Sequence, residues 1–391
     1  MDYTPALEYI SAYWTKLIRH TPEDSGTLIG LPKPYLVPSE NPIFREMFYW
    51  DSYFIALGLQ DTEHEGHIFG MLENMVYCLK RFGVMPNGTR YYFLSRSQPP
   101  FLTRMIKLAL EIKQRRQDTD IAEWLAPLLE AALQEHKTVW LGSEHPHHRQ
   151  VYLGLSRYFD INYLHDLACC ESGWDHSPRC NEHWLTHVQV DLNSILYARE
   201  TDIAEFYTLL GHPKQATYWT NCAKARAATI QQVFWNEDAG LYFDFDYTQE
   251  KQNPYPSLAG FYPLWAGIAT LEQAAQVVQK WLPQFLQVGG LLTSLEPKAG
   301  FQWAAPNGWA PLQWLVVAGL ERYGYTAEAK QVMRAWCDNN AQVFAETGLF
   351  WEKYNVSSIG AESEGGLYGS LSGFGWSNAV FCDFAKRLKK Q

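Results

Sequence analysis

The way helices are joined constrains this chain more than any other feature of its sequence. Apolar residues recur at helical spacing in twelve stretches, at roughly 4–18, 50–60, 64–81, 99–116, 120–138, 188–210, 213–234, 258–268, 271–283, 308–323, 326–343 and 375–388. Short links follow the second, fourth, sixth, eighth and tenth of these, and Gly211 and Gly324 stand where a helix can end in the left-handed conformation. Long segments, at 19–49, 82–98, 139–187, 236–257, 284–307 and 344–374, precede the even-numbered helices. Six helical hairpins linked in this way predict an all-α (α/α)6 toroid, an inner ring wrapped by an outer one, with every long loop on one face. Binding and catalysis concentrate on loops held by such a scaffold. No Pro/Gly/Ser linker or charge block interrupts the pattern, so residues 1–391 read as one catalytic domain. Locally, Asp120 three residues before Glu123 predicts a capping box and Pro127 a kink, while the run Leu241–Asp246 predicts a small hairpin inside a loop.

Composition narrows the partners. The 16 Trp, 23 Tyr and 20 Phe supply enough apolar surface to exclude a disordered chain. A formal charge of −10 repels phosphate backbones and anionic lipid, which argues against nucleic acid. No stretch reaches about 18 apolar residues without a charge, so no membrane span is expected, and the N-terminus lacks a basic start followed by an apolar core. Seven cysteines, an odd number without a CxxC pair, fit free thiols better than a disulfide framework. Together these features predict a cytoplasmic protein.

The long loops hold nearly all the unusual side-chain clusters: Phe44 to Asp51, Pro86-Asn87-Gly88 with Ser95 to Pro100, Glu171 to Arg179, Gln302-Trp303 with Pro306 to Pro311, Trp351 to Tyr354, and Gly373 to Trp376. Most couple an aromatic ring to Asp, Glu, Arg, Asn or Gln. A flat ring stacks on the C–H face of a sugar while polar partners bond its hydroxyls, so the mixture suits a carbohydrate pocket. Tryptophans packed in an inner ring, with polar groups capping helix ends, would produce any one such cluster; their recurrence in successive loops favours the sugar site. Asp175 behind Trp174 fits a general acid, because aromatic surroundings raise a carboxyl pKa, and Glu352 beside Lys353 fits an ionised base. His183 and His187 lie four apart and His145, His147 and His148 cluster, but no HExxH accompanies them, so they read as surface or packing histidines and no metal site is expected.

Taken in order, the motifs resemble the trehalases of glycoside hydrolase family 37 along most of the chain. LPKPYLVP (31–38) and FREMFYWDSYFIALGL (44–59) resemble that family's first signature, and the stretch 302–320, with Gln302-Trp303 and Pro306-Asn307-Gly308-Trp309, its second. SRSQPPF, ESGWDHSPR, VDLNSILY, WNEDAGLYFDFD, WEKYNV and GFGWSNAV match in kind and order. The resemblance implies an (α/α)6 toroid and an inverting mechanism without metal or organic cofactor. It places the general acid on Asp175, the general base on Glu352, and substrate contacts on Phe44, Trp50, Asp51, Asn87, Arg96, Gln98 and Gly173, with Trp309 of the second signature beside them.

Departures from the family pattern concern substrate choice. Ile43 replaces a sugar-binding Arg, Ala304 stands where an Asp is usual, and Leu367 takes the place of a Glu in the Gly-rich loop 360–373, the natural candidate for a closing loop. Only ten residues separate Asp160 from Glu171, so a substrate-contacting segment of the family is missing. The implied activity is hydrolysis of an α-glucosidic bond, with α,α-trehalose the first expectation. The alternatives are another compact solute such as glucosylglycerate or glucosylglycerol, since SGWDHSPR also resembles the related toroidal family 63, and a sugar-binding protein without catalysis. A small carbohydrate is the expected partner in each case.

Overall fold

In the computed structural model, residues 1–363, 365 and 370–389 are described. Leu367 lies outside the described residues. The twelve toroid helices are, in chain order, α1 (Thr4–Leu17), α2 (Tyr49–Leu59), α3 (Gly66–Phe82), α4 (Leu102–Arg115), α5 (Ile121–Glu135), α6 (Val190–Leu209), α7 (Pro213–Phe234), α8 (Tyr262–Ala266), α9 (Leu271–Gln276), α10 (Ala310–Arg322), α11 (Thr326–Thr347) and α12 (Gly375–Lys389). The even-numbered helices touch their neighbours in a closed circuit, α2 to α4, α6, α8, α10, α12 and back to α2. Outer helices cover this ring, α7 against α6 and α11 between α10 and α12. The architecture is the expected (α/α)6 toroid.

Side-chain patterning explains which helix goes where. All residues of α2 are buried, as an inner helix touched on every side requires, whereas α3 buries the stripe Ile68, Met71, Leu72, Met75, Val76 and Leu79 and leaves its other face wet. Gly211 and Gly324 follow α6 and α10 with φ of 75° and 82°, closing the short turns as expected. The capping box at Asp120 is absent: its carboxylate pairs with Lys113 Nζ at 2.8 Å, and α5 runs through Pro127 to Glu135. A true box sits instead at the start of α9, where Thr270 and Gln273 bond each other's backbone N–H.

Short antiparallel ribbons tie the long loops together. The expected hairpin divides between two sheets: Leu241–Tyr242 pairs with Trp235–Asn236, while Asp244–Asp246 pairs with Lys251–Asn253 and with His187–Val188. Between Asp160 and the SGWD motif the chain forms a seven-residue helix, His165–Glu171, which periodicity does not disclose. No helix among the described residues is long and apolar enough to cross a membrane.

Candidate active site

Loops preceding the inner helices, together with the first turns of those helices, line a cavity that opens to solvent. Phe44, Trp50, Asp51, Gln98, Gly173, Asp175, Trp309 and Glu352 line it. Pro38, Phe48, Gln302, Trp303, Phe374 and Trp376 complete the wall; all belong to motifs legible in the sequence, yet neighbours in a motif point in different directions and nothing local tells which face the cavity.

Each wall residue is held by a different element. Asp51 stands in the first turn of α2, and the Trp50 N–H donates to Gln98 Oε1 at 3.1 Å, fastening α2 to the loop before α4. The helix His165–Glu171 delivers Gly173, whose φ of 73° and contact with the Trp50 indole leave no room for a Cβ. Glu171 is wholly buried and accepts from the backbone N–H of Ser97 and of Phe159, each at 2.7 Å, and from Arg149, joining the loop before α4 to the long segment that carries Asp175. Asn307–Trp309 pairs with Lys353–Asn355, Trp309 opposite Lys353, which places Glu352 at the end of a two-stranded ribbon. Trp376 Nε1 and Ser377 Oγ of α12 donate to the Glu352 carbonyl at 3.0 and 3.3 Å.

Asn87 and Arg96 are buried, and each bonds the protein itself. Asn87 Nδ2 donates to the carbonyls of Ser97 and Cys170, at 3.3 and 3.1 Å. Arg96 Nη1 pairs with Asp160 Oδ2 at 3.3 Å, and Ser95 Oγ donates to the same oxygen at 2.7 Å. The shortened 160–171 segment is thus anchored by Asp160. Ala304 is fully buried, and Ile43 points outward at 54% exposure, so neither supplies a polar group to the cavity.

Tryptophans form the back of the site. Trp303 stacks on Trp309 at 3.9 Å between centroids and on Trp174 at 5.4 Å, and Trp376 meets Trp309 edge-on. Behind Trp174, Arg179 lies 4.5 Å above the ring and binds Asp191 and Asp244, both at 2.8 Å. The Arg of the SGWDHSPR motif is therefore a buried strut for the stack.

Electrostatics separate the carboxyls. Asp175 is half-buried overall, but its Oδ1 is sealed from solvent and has no hydrogen-bond partner among the described residues. Burial pushes its pKa up to about 7; the Arg96 charge opposes this and Glu352 adds to it. Burial also raises Asp51 well above the usual carboxylate range, and the charges of Asp175 and Glu352 reinforce the effect. Glu352 Oε2 has a cation beside it, Lys353 Nζ at 3.3 Å, which itself sits over the Trp309 ring. One cavity thus holds a carboxyl whose pKa burial raises toward neutrality and a second carboxyl paired to a lysine, a combination that suits acid and base catalysis of glycoside cleavage.

The family model for trehalase matches residues 2–162 and 156–389. The chain belongs to the trehalase family. The periplasmic trehalase of Salmonella newport (strain SL254) is 34% identical over 414 residues, covering 95% of this chain and 72% of that protein, and the periplasmic trehalase of Escherichia coli O1:K1 / APEC is 32% identical over 423. Among solved structures, the neutral trehalase of Saccharomyces cerevisiae superposes with a TM-score of 0.79 at 29% identity, over 97% of this chain and 79% of that one. A mannosylglycerate hydrolase of glycoside hydrolase family 63 from Thermus thermophilus has a TM-score of 0.71 at 19% identity, over 97% of this chain and all of that one, a likeness of fold.

This trehalase-family protein is a glycoside hydrolase with the toroid expected from its helix pattern. The expectation of a cytoplasmic location is overturned, because the matched relatives are named periplasmic trehalases. The cysteines were a poor guide to compartment: all seven are free and five are buried, and burial raises the pKa of Cys78 to about 12, so such thiols are inert in either redox environment.

Proposed function

We propose that this protein is an inverting α-glucosidase acting on α,α-trehalose, with the whole chain as one catalytic unit, Asp175 as general acid and Glu352 as general base. The observation that carries this reading is the pairing, in one aromatic cavity, of a carboxyl that burial keeps protonated to about pH 7 with a carboxylate beside a lysine. Asp175 donates its proton to the glycosidic oxygen as the bond to the anomeric carbon breaks. A water on the opposite face attacks that carbon and gives its proton to Glu352, and solvent exchange then restores both groups. That geometry calls for carboxyl groups about 6.5–9.5 Å apart, with room for one water.

The remaining wall residues bind and orient the sugar. Asp51 bonds sugar hydroxyls together with Gln98, while Phe44, Trp50 and Trp309 supply apolar faces and Gly173 lets the ring approach the backbone. Arg96 tunes Asp175 through its charge, and Asn87 holds the loops that carry both. The names of the relatives support trehalose as the substrate and the periplasm as the compartment. NMR of fresh hydrolysate tests the reading: inversion releases one α- and one β-glucose from each trehalose. Release of α-glucose alone would exclude inversion, and no release by a folded sample would exclude the substrate.

A second reading, hydrolysis of another compact α-glucoside such as glucosylglycerate or glucosylglycerol, draws on the outward-facing Ile43 and the short 160–171 segment, which leave fewer polar contacts for a second glucose. A kcat/KM comparison of these glucosides with trehalose decides between the two. A binding protein without catalysis is disfavoured, since it needs neither the protonated acid nor the lysine-paired base.

A further inference from the structure

Among the described residues twelve large apolar side chains are exposed, and six of them, Ile43, Tyr91, Tyr92, Ile161, Tyr163 and Leu164, fall in three short segments of the loops that precede α2, α4 and α6. These segments are joined. The Ile161 N–H donates to the Ser95 carbonyl at 3.1 Å, and Glu46 pairs with Arg90 at 3.0 Å. A chain of rings leads inward from the rim: Tyr92 touches Phe93 at 4.5 Å, Phe93 meets Phe48 at 5.8 Å, and Phe48 meets Phe44 at 5.8 Å; the last two line the cavity. The charged groups nearby are paired, Arg90 with Glu46 and Arg96 through its Nη1 with Asp160, whose Oδ2 also accepts from Ser95 Oγ.

We infer that this rim is an apolar extension of the acceptor side of the cavity, and that the enzyme also hydrolyses α-glucosides carrying an alkyl or aryl aglycone that lies across Tyr92 and Ile161. The inference rests on the reading of the chain as an α-glucosidase. Exposed apolar patches of this kind mark binding surfaces, and this one is continuous with the cavity rather than separate from it. The shortened 160–171 segment leaves Ile161, at 58% exposure, uncovered next to the loop that carries Arg96 and Gln98. Hydrolysis here follows the same balance as for a sugar acceptor: the alcohol leaves with the proton from Asp175, and water supplies the hydroxyl of the released glucose.

Methyl, butyl and hexyl α-glucosides test this, because the three share leaving-group chemistry and differ only in apolar length. Each fully buried methylene is worth several-fold in binding, so partial burial on the rim should lower KM by about ten-fold from methyl to hexyl. In Tyr92→Ser/Ile161→Ser the ratio of the two KM values should fall toward one. A flat series in the wild type overturns the inference, as does a flat series accompanied by a stable dimer in solution, which would assign the patch to a second copy of the chain. A steep series that the double variant leaves unchanged overturns the assignment to these residues. Failure to cleave trehalose and every alkyl glucoside is a different result, and removes the α-glucosidase reading itself.

Discussion

A Cβ on Gly173 would stand 2.6 Å from Cε2 of Trp50, a separation that real Cβ contacts do not reach. The glycine's φ of 73° adds a second reason for the residue. Trp50 stands in the first turn of the first inner helix and Gly173 lies two residues before Asp175, so their contact sets the proposed acid against the wall of the cavity. Gly173→Ala should lower kcat/KM by about 100-fold and cost about 1–3 kcal/mol of stability. Steady-state kinetics and urea unfolding measure both, and activity close to wild type would mean that the loop moves without consequence.

The ionisation of Asp175 predicts the alkaline limb of the rate profile. A general acid must hold its proton, so kcat/KM should fall as pH rises through about 7. Asp175→Asn should lose that limb and about 10²–10⁴-fold in kcat. Stability follows the same sign. The folded chain holds this proton to about pH 7 and the unfolded chain releases it near 3.8, so the contribution of Asp175 to stability declines as pH rises between those values. The Tm of Asp175→Asn relative to wild type should therefore be more favourable at pH 8 than at pH 4, which scanning calorimetry checks.

Lys353 should act through Glu352. With Nζ 3.3 Å from Glu352 Oε2 in a buried setting, the lysine favours the ionised form of the proposed base. Lys353→Met should reduce kcat by about 10–100-fold, with Lys353→Arg recovering part of it. A loss confined to KM would instead assign the lysine to substrate binding.

Arg179 tests the support behind the tryptophan stack. It is completely buried between Asp191 and Asp244, and Arg179→Ala would leave two buried carboxylates without their cation. Removing one partner of such a buried network costs about 3–5 kcal/mol, so the variant should unfold at lower urea and lose activity as Trp174 loosens. An unchanged unfolding midpoint would show that water replaces the guanidinium.

The helices were legible because their signals are local: apolar spacing within each stretch, and Gly211 and Gly324 at the turns. The carboxylates were legible because motif wording carried them. The helix His165–Glu171 escaped notice since seven residues hold barely two turns of periodicity, and the ribbon pairing Trp309 with Lys353 joins residues 44 positions apart in the sequence. Arg96 and Asn87 show a third limit: their partners within the protein, Asp160 for Arg96 and two backbone carbonyls for Asn87, lie far off in the sequence or on the backbone, and only packing discloses them.

From sequence alone come the family, the alternation of inner and outer helices, and the loops that line the cavity, because periodicity, turn residues and motif order are properties of neighbouring positions. The tertiary structure decided which side chains reach the cavity and what charge they carry there. A pKa near 7 for Asp175 is set by the protein packed around it and by Arg96 and Glu352, residues 79 and 177 positions away in the chain, and no local pattern encodes that desolvation.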